Sequence, residues 1–177
     1  MVYDYYGFPS HTYEIHYPAP GDPALAQQVC NLLETAGLPT HLDSQRGFDH
    51  GAFVPAYVIY PQAKVPMVQL SIHANYDPAL HYAMGEALAP LRDEDVLIIG
   101  SGLSYHNLRA FGPAARTASG LFDAWLQQTR LAATPARRSA RAHSARVAPV
   151  VMTSSSSATC RGSGPARAAN ARCTLPR

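Results

Sequence analysis

The sequence predicts an α/β protein with a partial central sheet, helices on both of its faces, and a disordered C-terminal tail. Three observations carry that expectation. Segments with a helical apolar period alternate with short β-rich runs, the pattern of a sheet with helices packed on its faces. One of those runs, "DVLIIG" at residues 95–100, is unbroken in its apolar character, as in a central strand covered on both faces. From about Ala132 onward no apolar period is sustained.

The elements follow in order. The opening stretch through "HYPAPGDP" is rich in Tyr, Pro and Gly and reads as loop. Asp22 then caps a helix with Pro23 at its first position. Ala24, Leu25, Val29, Leu32 and Leu33 lay one apolar stripe on that helix, which ends at Gly37. "PTHLD" is a short strand candidate. Residues 52–60 fit strand or helix, and Pro55 favours a helix beginning there. "KVPMVQLSIH" at residues 64–73 is a strand bounded by Pro61 and by "NYDP". Asp77 and Pro78 repeat the cap-plus-proline signal and open a helix that runs to about Arg92. After "DVLIIGSG" the last helix spans residues 117–130, with Leu121, Trp125 and Leu126 on one side.

A chain of 177 residues is long enough for one domain with a real core. Its charge is unevenly spread. Up to Arg130 there are twelve acidic and six basic side chains, whereas Leu131 onward contains eight arginines and no acid. The division predicted is therefore a folded domain over residues 1–131 and a low-complexity Arg/Ala/Ser/Pro tail over 132–177. The tail admits two readings, a basic arm for nucleic acid and a sequence without selected function such as out-of-frame translation of GC-rich DNA would give; the second argues against a nucleic-acid partner. The three cysteines have no metal-finger spacing and suggest a reducing compartment. No apolar stretch reaches the roughly 18 residues of a membrane span, and the N-terminus lacks signal-peptide character, so a cytoplasmic protein is expected.

Two places can carry chemistry. "GSGLSYHNLR" leaves the predicted central strand through Gly100 and Gly102 and sets down His106 at the strand's carboxyl end, where open α/β sheets bind ligands. A histidine there can move a proton near neutral pH, or can be a loop residue bonded to a backbone carbonyl. In "RGFDHGAFVP", Asp49 and His50 stand together at a helix start; Asp49 can cap the helix, while His50 has no such structural role in view. The other histidines sit in no metal-binding pattern, and no H-x-x-x-H, C-x-x-C or phosphate-loop motif occurs.

Taken in order, "GFP", "HYPAPGDPALAQQV", "GFDHGAFVP", "VPMVQLSI", "HYAMGEALAPLRDEDVLIIGSG" and "HNLR" resemble the class III extradiol ring-cleavage dioxygenases, in the branch similar to 4,5-DOPA extradiol dioxygenase. The resemblance spans roughly Tyr5 to Leu131. It implies an oxidoreductase that binds a catechol at a non-haem metal, Fe(II) or Zn(II), and inserts O2 beside the diol. Zinc has no redox chemistry, so iron is the better mechanistic choice. It also implies that His106 of "HNLR" is the acid/base, or lies close enough to be a metal ligand, and that His50 orients substrate in the same pocket beside Tyr105. Family members begin with strands ending in "HGSP"-like and "SAHW"-like histidines and carry a later "PEHYLPL"-like segment. These supply metal ligands and have no counterpart in this chain; His143 in "ARAHSAR" does not fit. The resemblance therefore implies a domain truncated at both ends, with an incomplete metal site and impaired activity; the alternative is a non-catalytic fragment.

Overall fold

A computed structural model describes residues 1–103, 105–107, 109–110, 112–133, 148–153 and 172–174. The chain divides into two units, one formed by Met1–Gly102 with Ala145–Arg177 and the other by Leu103–Ser144. In the first unit, α1 (Pro23–Thr35) begins as the sequence predicts. The Asp22 carboxylate accepts the Leu25 amide at 2.9 Å, and Pro23 occupies a position that needs no donor. Gly37 ends the segment with φ of 77°, a conformation that costs other residues steric strain. The buried stripe is Leu25, Ala26, Val29, Cys30 and Leu33, so it is rotated slightly from the predicted one and leaves Ala24 exposed.

Strand β1 (His41–Asp43) follows, and then helix α2 (His50–Ile59). Pro55 lies inside α2 instead of opening it. The helix starts five residues earlier because Asp49 adopts extended backbone and its carbonyl accepts the amides of Ala52 and Phe53. Proline at position 55 then forfeits the intrahelical bond its amide would have made, and its ring crowds the carbonyl one turn back. Strand β2 (Val68–Ser71) is followed by α3 (Pro78–Leu88), where Asp77 accepts the Ala79 amide at 2.9 Å. The predicted continuation to Arg92 is real but tightens into a 3-10 turn, Ala89–Asp93, because Pro90 cannot donate the next α-helical bond.

Strand β3 (Val96–Ser101) was expected at the centre of the sheet and lies at its edge. The order is β1-β5-β2-β4-β3, with β4 (Ala148–Thr153) parallel to both β2 and β3. Strand β5 (Arg172–Thr174) is parallel to β2 and antiparallel to β1. An apolar run alone does not distinguish a central strand from an edge strand, and Leu97 of β3 is 40% exposed. The expectation of a structureless tail falls mostly on residues outside the described ones. The described parts of the tail are β4 and β5, and "APVVMT" can join a ladder because a short β-branched apolar run needs no sustained period.

Helices cover both faces of the sheet, as predicted, because side chains alternate along β2. Val68 and Leu70 enter a core with Leu25, Val29 and Leu33 of α1 and Met84 and Leu88 of α3. On the opposite face Met67 joins Tyr17, Phe48, Ala52, Phe53 and Ala56 around α2. Helix α2 is apolar nearly all round, and Val54, Tyr57, Val58 and Ile59 on its outer side are exposed. Cys30, for which no pairing was predicted, is disulfide-bonded. It faces the α1 side of the core, where α1 also meets β5, a contact between segments far apart in sequence that spacing rules do not reveal.

In the second unit, α4 (Arg116–Ala133) agrees with the predicted last helix, and Leu121 and Trp125 are largely exposed. Core truncation separates the two kinds of apolar strand position. Leu70→Ala, at a fully buried site, is expected to cost about 2–5 kcal/mol in urea denaturation, and Leu97→Ala on the exposed edge about 0.5 kcal/mol or less. Equal losses would contradict the packing described.

Candidate active site

The N-terminal segment and the start of α2 are built against each other. The Val2 amide donates to the Phe48 carbonyl at 2.7 Å, and Val2 forms a parallel bridge with Asp49. Gly47 permits this approach, since a Cβ there would stand 2.5 Å from the Met1 nitrogen and 2.8 Å from its Cα. Tyr3 and Tyr5 anchor the same segment, donating to the carbonyls of Ile15 and Thr12, each at 2.6 Å. The Tyr3 ring also meets Phe53 edge to face at 6.0 Å.

Asp49 does not cap α2 with its side chain. Its carboxylate is fully buried and accepts from the side-chain amide of Gln69 on β2, while its own backbone amide donates to Gln69 Oε1 at 3.2 Å. The capping position is taken by Asp4. Its Oδ1 accepts the His50 backbone amide at 3.2 Å and lies 2.5 Å from His50 Nδ1. The Tyr5 ring stands edge-on to the His50 imidazole with centroids 5.6 Å apart.

Burial is the largest cause holding the Tyr5 phenol above its ordinary value; the hydrogen bond at Thr12 opposes it, and the neighbouring Tyr3, Tyr13 and Asp4 add to it, so Tyr5 remains a donor. Tyr17 is raised for the same first reason, with Tyr60 adding to it, and donates to the Tyr60 carbonyl at 3.0 Å.

His106 lies in the second unit, just past the end of β3, where Gly102 takes a φ of 149°. It is exposed and makes no hydrogen bond among the described residues. Asn107 organises the turn that follows, accepting the Arg109 amide at 3.1 Å with its side chain and the Ala110 amide at 3.2 Å with its carbonyl. Tyr105, expected beside substrate, is half-buried with its ring tilted against Phe122 at 5.6 Å. Of the histidines that sit in no metal-binding pattern, His81 has both ring nitrogens engaged: Nε2 accepts the His73 amide at 3.0 Å while Nδ1 meets the Asp77 carbonyl at 2.6 Å. His143 lies outside the described residues. Among the described residues no three His, Cys, Asp or Glu side chains come together in a way that could hold a metal ion.

Sequence reasoning missed Asp4 and Gln69. Gln69 carries a faint signal, being the polar residue in the middle of an apolar strand; Asp4 carries none, because its partner is 46 residues away.

The model of the catalytic LigB subunit of aromatic ring-opening dioxygenase matches residues 1–147. The chain belongs to the LigB family. Among curated relatives it is 43% identical over 130 residues to the 4,5-DOPA dioxygenase extradiol of Beta vulgaris, which covers 71% of this chain and 48% of that protein. It is 49% identical over 109 residues to the Escherichia coli protein of the same description, covering 61% and 40%. It is 48% identical over 122 residues to the dioxygenase tasH of Hapsidospora irregularis, covering 68% and 37%. The chain thus spans about half or less of the length of these relatives. No solved structure matches it. The resemblance to extradiol dioxygenases is upheld. LigB-family enzymes generally use a non-haem metal, and the described residues do not by themselves fit one. No helix among the described residues is long and apolar enough to cross a membrane.

Tyr17 supplies a pH test of this packing. A phenol whose folded value is raised contributes stability that is fully present below its unfolded value and is lost as pH rises through the folded value. Stability is therefore expected to fall once pH passes the ordinary tyrosine value of 10.0. Tyr17→Phe should flatten that fall, read as the urea midpoint against pH. An unchanged slope would contradict the assignment.

Proposed function

We propose that the chain carries part of an extradiol catechol dioxygenase, acting on a DOPA-like catechol and O2, with residues 1–131 as the dioxygenase portion and 132–177 as a tail without a catalytic role. The observation that carries this reading is the LigB match over residues 1–147, joined to a histidine, His106, just beyond the carboxyl end of β3. His106 is the acid/base in this proposal: an exposed imidazole without a competing hydrogen bond can take a proton from a catechol hydroxyl and later return one. His50 orients the substrate, and Tyr105 contributes a ring edge to it.

Fe(II) is the cofactor this chemistry favours over Zn(II), since activation of O2 needs a redox-active metal. The ligands must come from outside the described residues, and that observation favours a second reading, a fragment without activity of its own. A cytoplasmic location belongs to the same proposal, and the disulfide at Cys30 is the observation that weighs against it.

Anaerobic reconstitution with Fe(II), metal analysis and absorbance of L-DOPA reactions separate the readings. The expected result is substoichiometric iron and little or no yellow ring-opened semialdehyde from the chain alone. A chimera that adds the flanking segments of the Beta vulgaris relative should turn over, and His106→Ala in it should slow turnover by roughly 10²- to 10⁴-fold. An inactive chimera would favour the fragment reading, and an unchanged rate with His106→Ala would overturn the role given to that residue.

A further inference from the structure

We propose that Asp4 is a positioning residue that fixes the His50 imidazole as its Nδ1–H tautomer, leaving Nε2 as the hydrogen-bond-accepting nitrogen offered to a hydroxyl-bearing ligand. The ligand half of the proposal rests on the reading of His50 as a substrate-facing residue; the tautomer half does not.

The geometry comes from a displacement of roles. Asp49, the residue in the N-cap position of α2, turns its carboxylate into the core toward Gln69 and leaves the first helical amides without their usual side-chain acceptor. Asp4 arrives from another part of the chain and supplies one oxygen, Oδ1, to two donors of a single residue: the His50 amide at 3.2 Å and the ring Nδ1 at 2.5 Å. A ring held only by its nitrogen could still swing about its bond to the backbone. Here the backbone amide and the ring converge on one atom, so backbone and side chain are fixed together.

A carboxylate is an acceptor only, so the nitrogen facing it must carry the proton. In the neutral imidazole the other nitrogen then holds the lone pair. Nε2 has no partner among the described residues, and the His50 side chain is 46% exposed whereas that of Asp4 is 19% exposed. The carboxylate is thus the sheltered member of the pair and the imidazole the accessible one, the arrangement in which a carboxylate orients a histidine that works on something else.

The supports of Asp4 are themselves rigid. Tyr3 and Tyr5, its chain neighbours, are each tied by a hydroxyl to a backbone carbonyl, and Tyr5 also closes the edge of the His50 ring. Gly47 lets the Met1 backbone lie close enough for Asp4 to reach the helix start. A purely structural cap would need only the backbone amide. The second contact, to Nδ1, is what a positioning role adds, and tautomer is the property that it alone controls.

The test uses the full chain, labelled with ¹⁵N at histidine, and long-range ¹H–¹⁵N spectra at a pH where His50 is neutral. The expected spectrum shows His50 with Nδ1 protonated and Nε2 bare. Asp4→Asn keeps a carbonyl oxygen that can accept and should preserve that pattern. Asp4→Ala should shift His50 toward the Nε2–H form that an unconstrained imidazole favours. A wild-type His50 already in the Nε2–H form would overturn the proposal, as would an Asp4→Ala protein with an unchanged tautomer; the wild-type measurement decides even where the alanine variant does not fold. Titration with 4-methylcatechol, followed at the Nε2 resonance, tests the ligand half separately. A shift of that resonance, absent in His16 and His41, is expected. No shift would remove the substrate-facing role of His50 and leave the tautomer spectra to judge Asp4.

Discussion

The contact between the Gln69 side-chain amide and the buried carboxylate of Asp49 governs the geometry around α2. A carboxylate taken fully out of water is costly unless it is hydrogen-bonded, and Gln69 reaches it from β2, the strand beneath. That contact fixes the height of the helix start over the sheet. It also withdraws Asp49 from the capping role its position invites. The helix start then depends on Asp4, and the pairing of Asp4 with His50 follows from where Asp49 has gone.

The same strand divides the interior. Val68 and Leu70 point to the α1 and α3 side, and Met67 and Gln69 to the α2 side, so four consecutive residues serve two cores. A one-residue slip of β2 would bury Gln69 among leucines and turn Val68 toward Asp49. The polar pair therefore specifies register as well as supporting the helix. The cores differ in kind: the first is aliphatic, closed by leucines of two helices, while the second sets aromatic rings among alanines and incorporates the N-terminal segment through Tyr3 and Tyr5.

What could be read from the sequence was what depends on neighbouring residues. Asp22-Pro23 and Asp77-Pro78 announced the starts of α1 and α3, because a cap and a proline act within one turn. Gly37 likewise marked where α1 gives way, whereas Pro90 was passed over in the expectation of a helix to Arg92. Contacts made across the chain were illegible. Of the two local signals for the start of α2, Pro55 pointed too far along the chain and Asp49-His50 pointed to the right place, although the side-chain contact at that start comes from Asp4 and not from the Asp49 carboxylate. The edge position of β3 depends on which strand pairs with it, and "VLIIGS" says nothing about its neighbour. Of the candidate site, His50 and His106 were visible as residue types at element ends, and the family resemblance gave them roles. Asp4 was invisible because an aspartate between tyrosines in a loop has no period, motif or cap spacing.

His50 and His106 illustrate two different demands on a proton-handling imidazole. His106 stands exposed past the end of a strand with no hydrogen bond among the described residues, so its backbone is placed by Gly102 and Asn107 while its ring is free to adjust. His50 is held at both backbone and ring by one carboxylate oxygen. A group that must take up and later return a proton benefits from freedom to follow the substrate, whereas a group that orients the substrate loses its purpose if its own ring can turn. The two imidazoles thus differ in constraint: that of His50 is held by one carboxylate oxygen, and that of His106 has no hydrogen bond among the described residues.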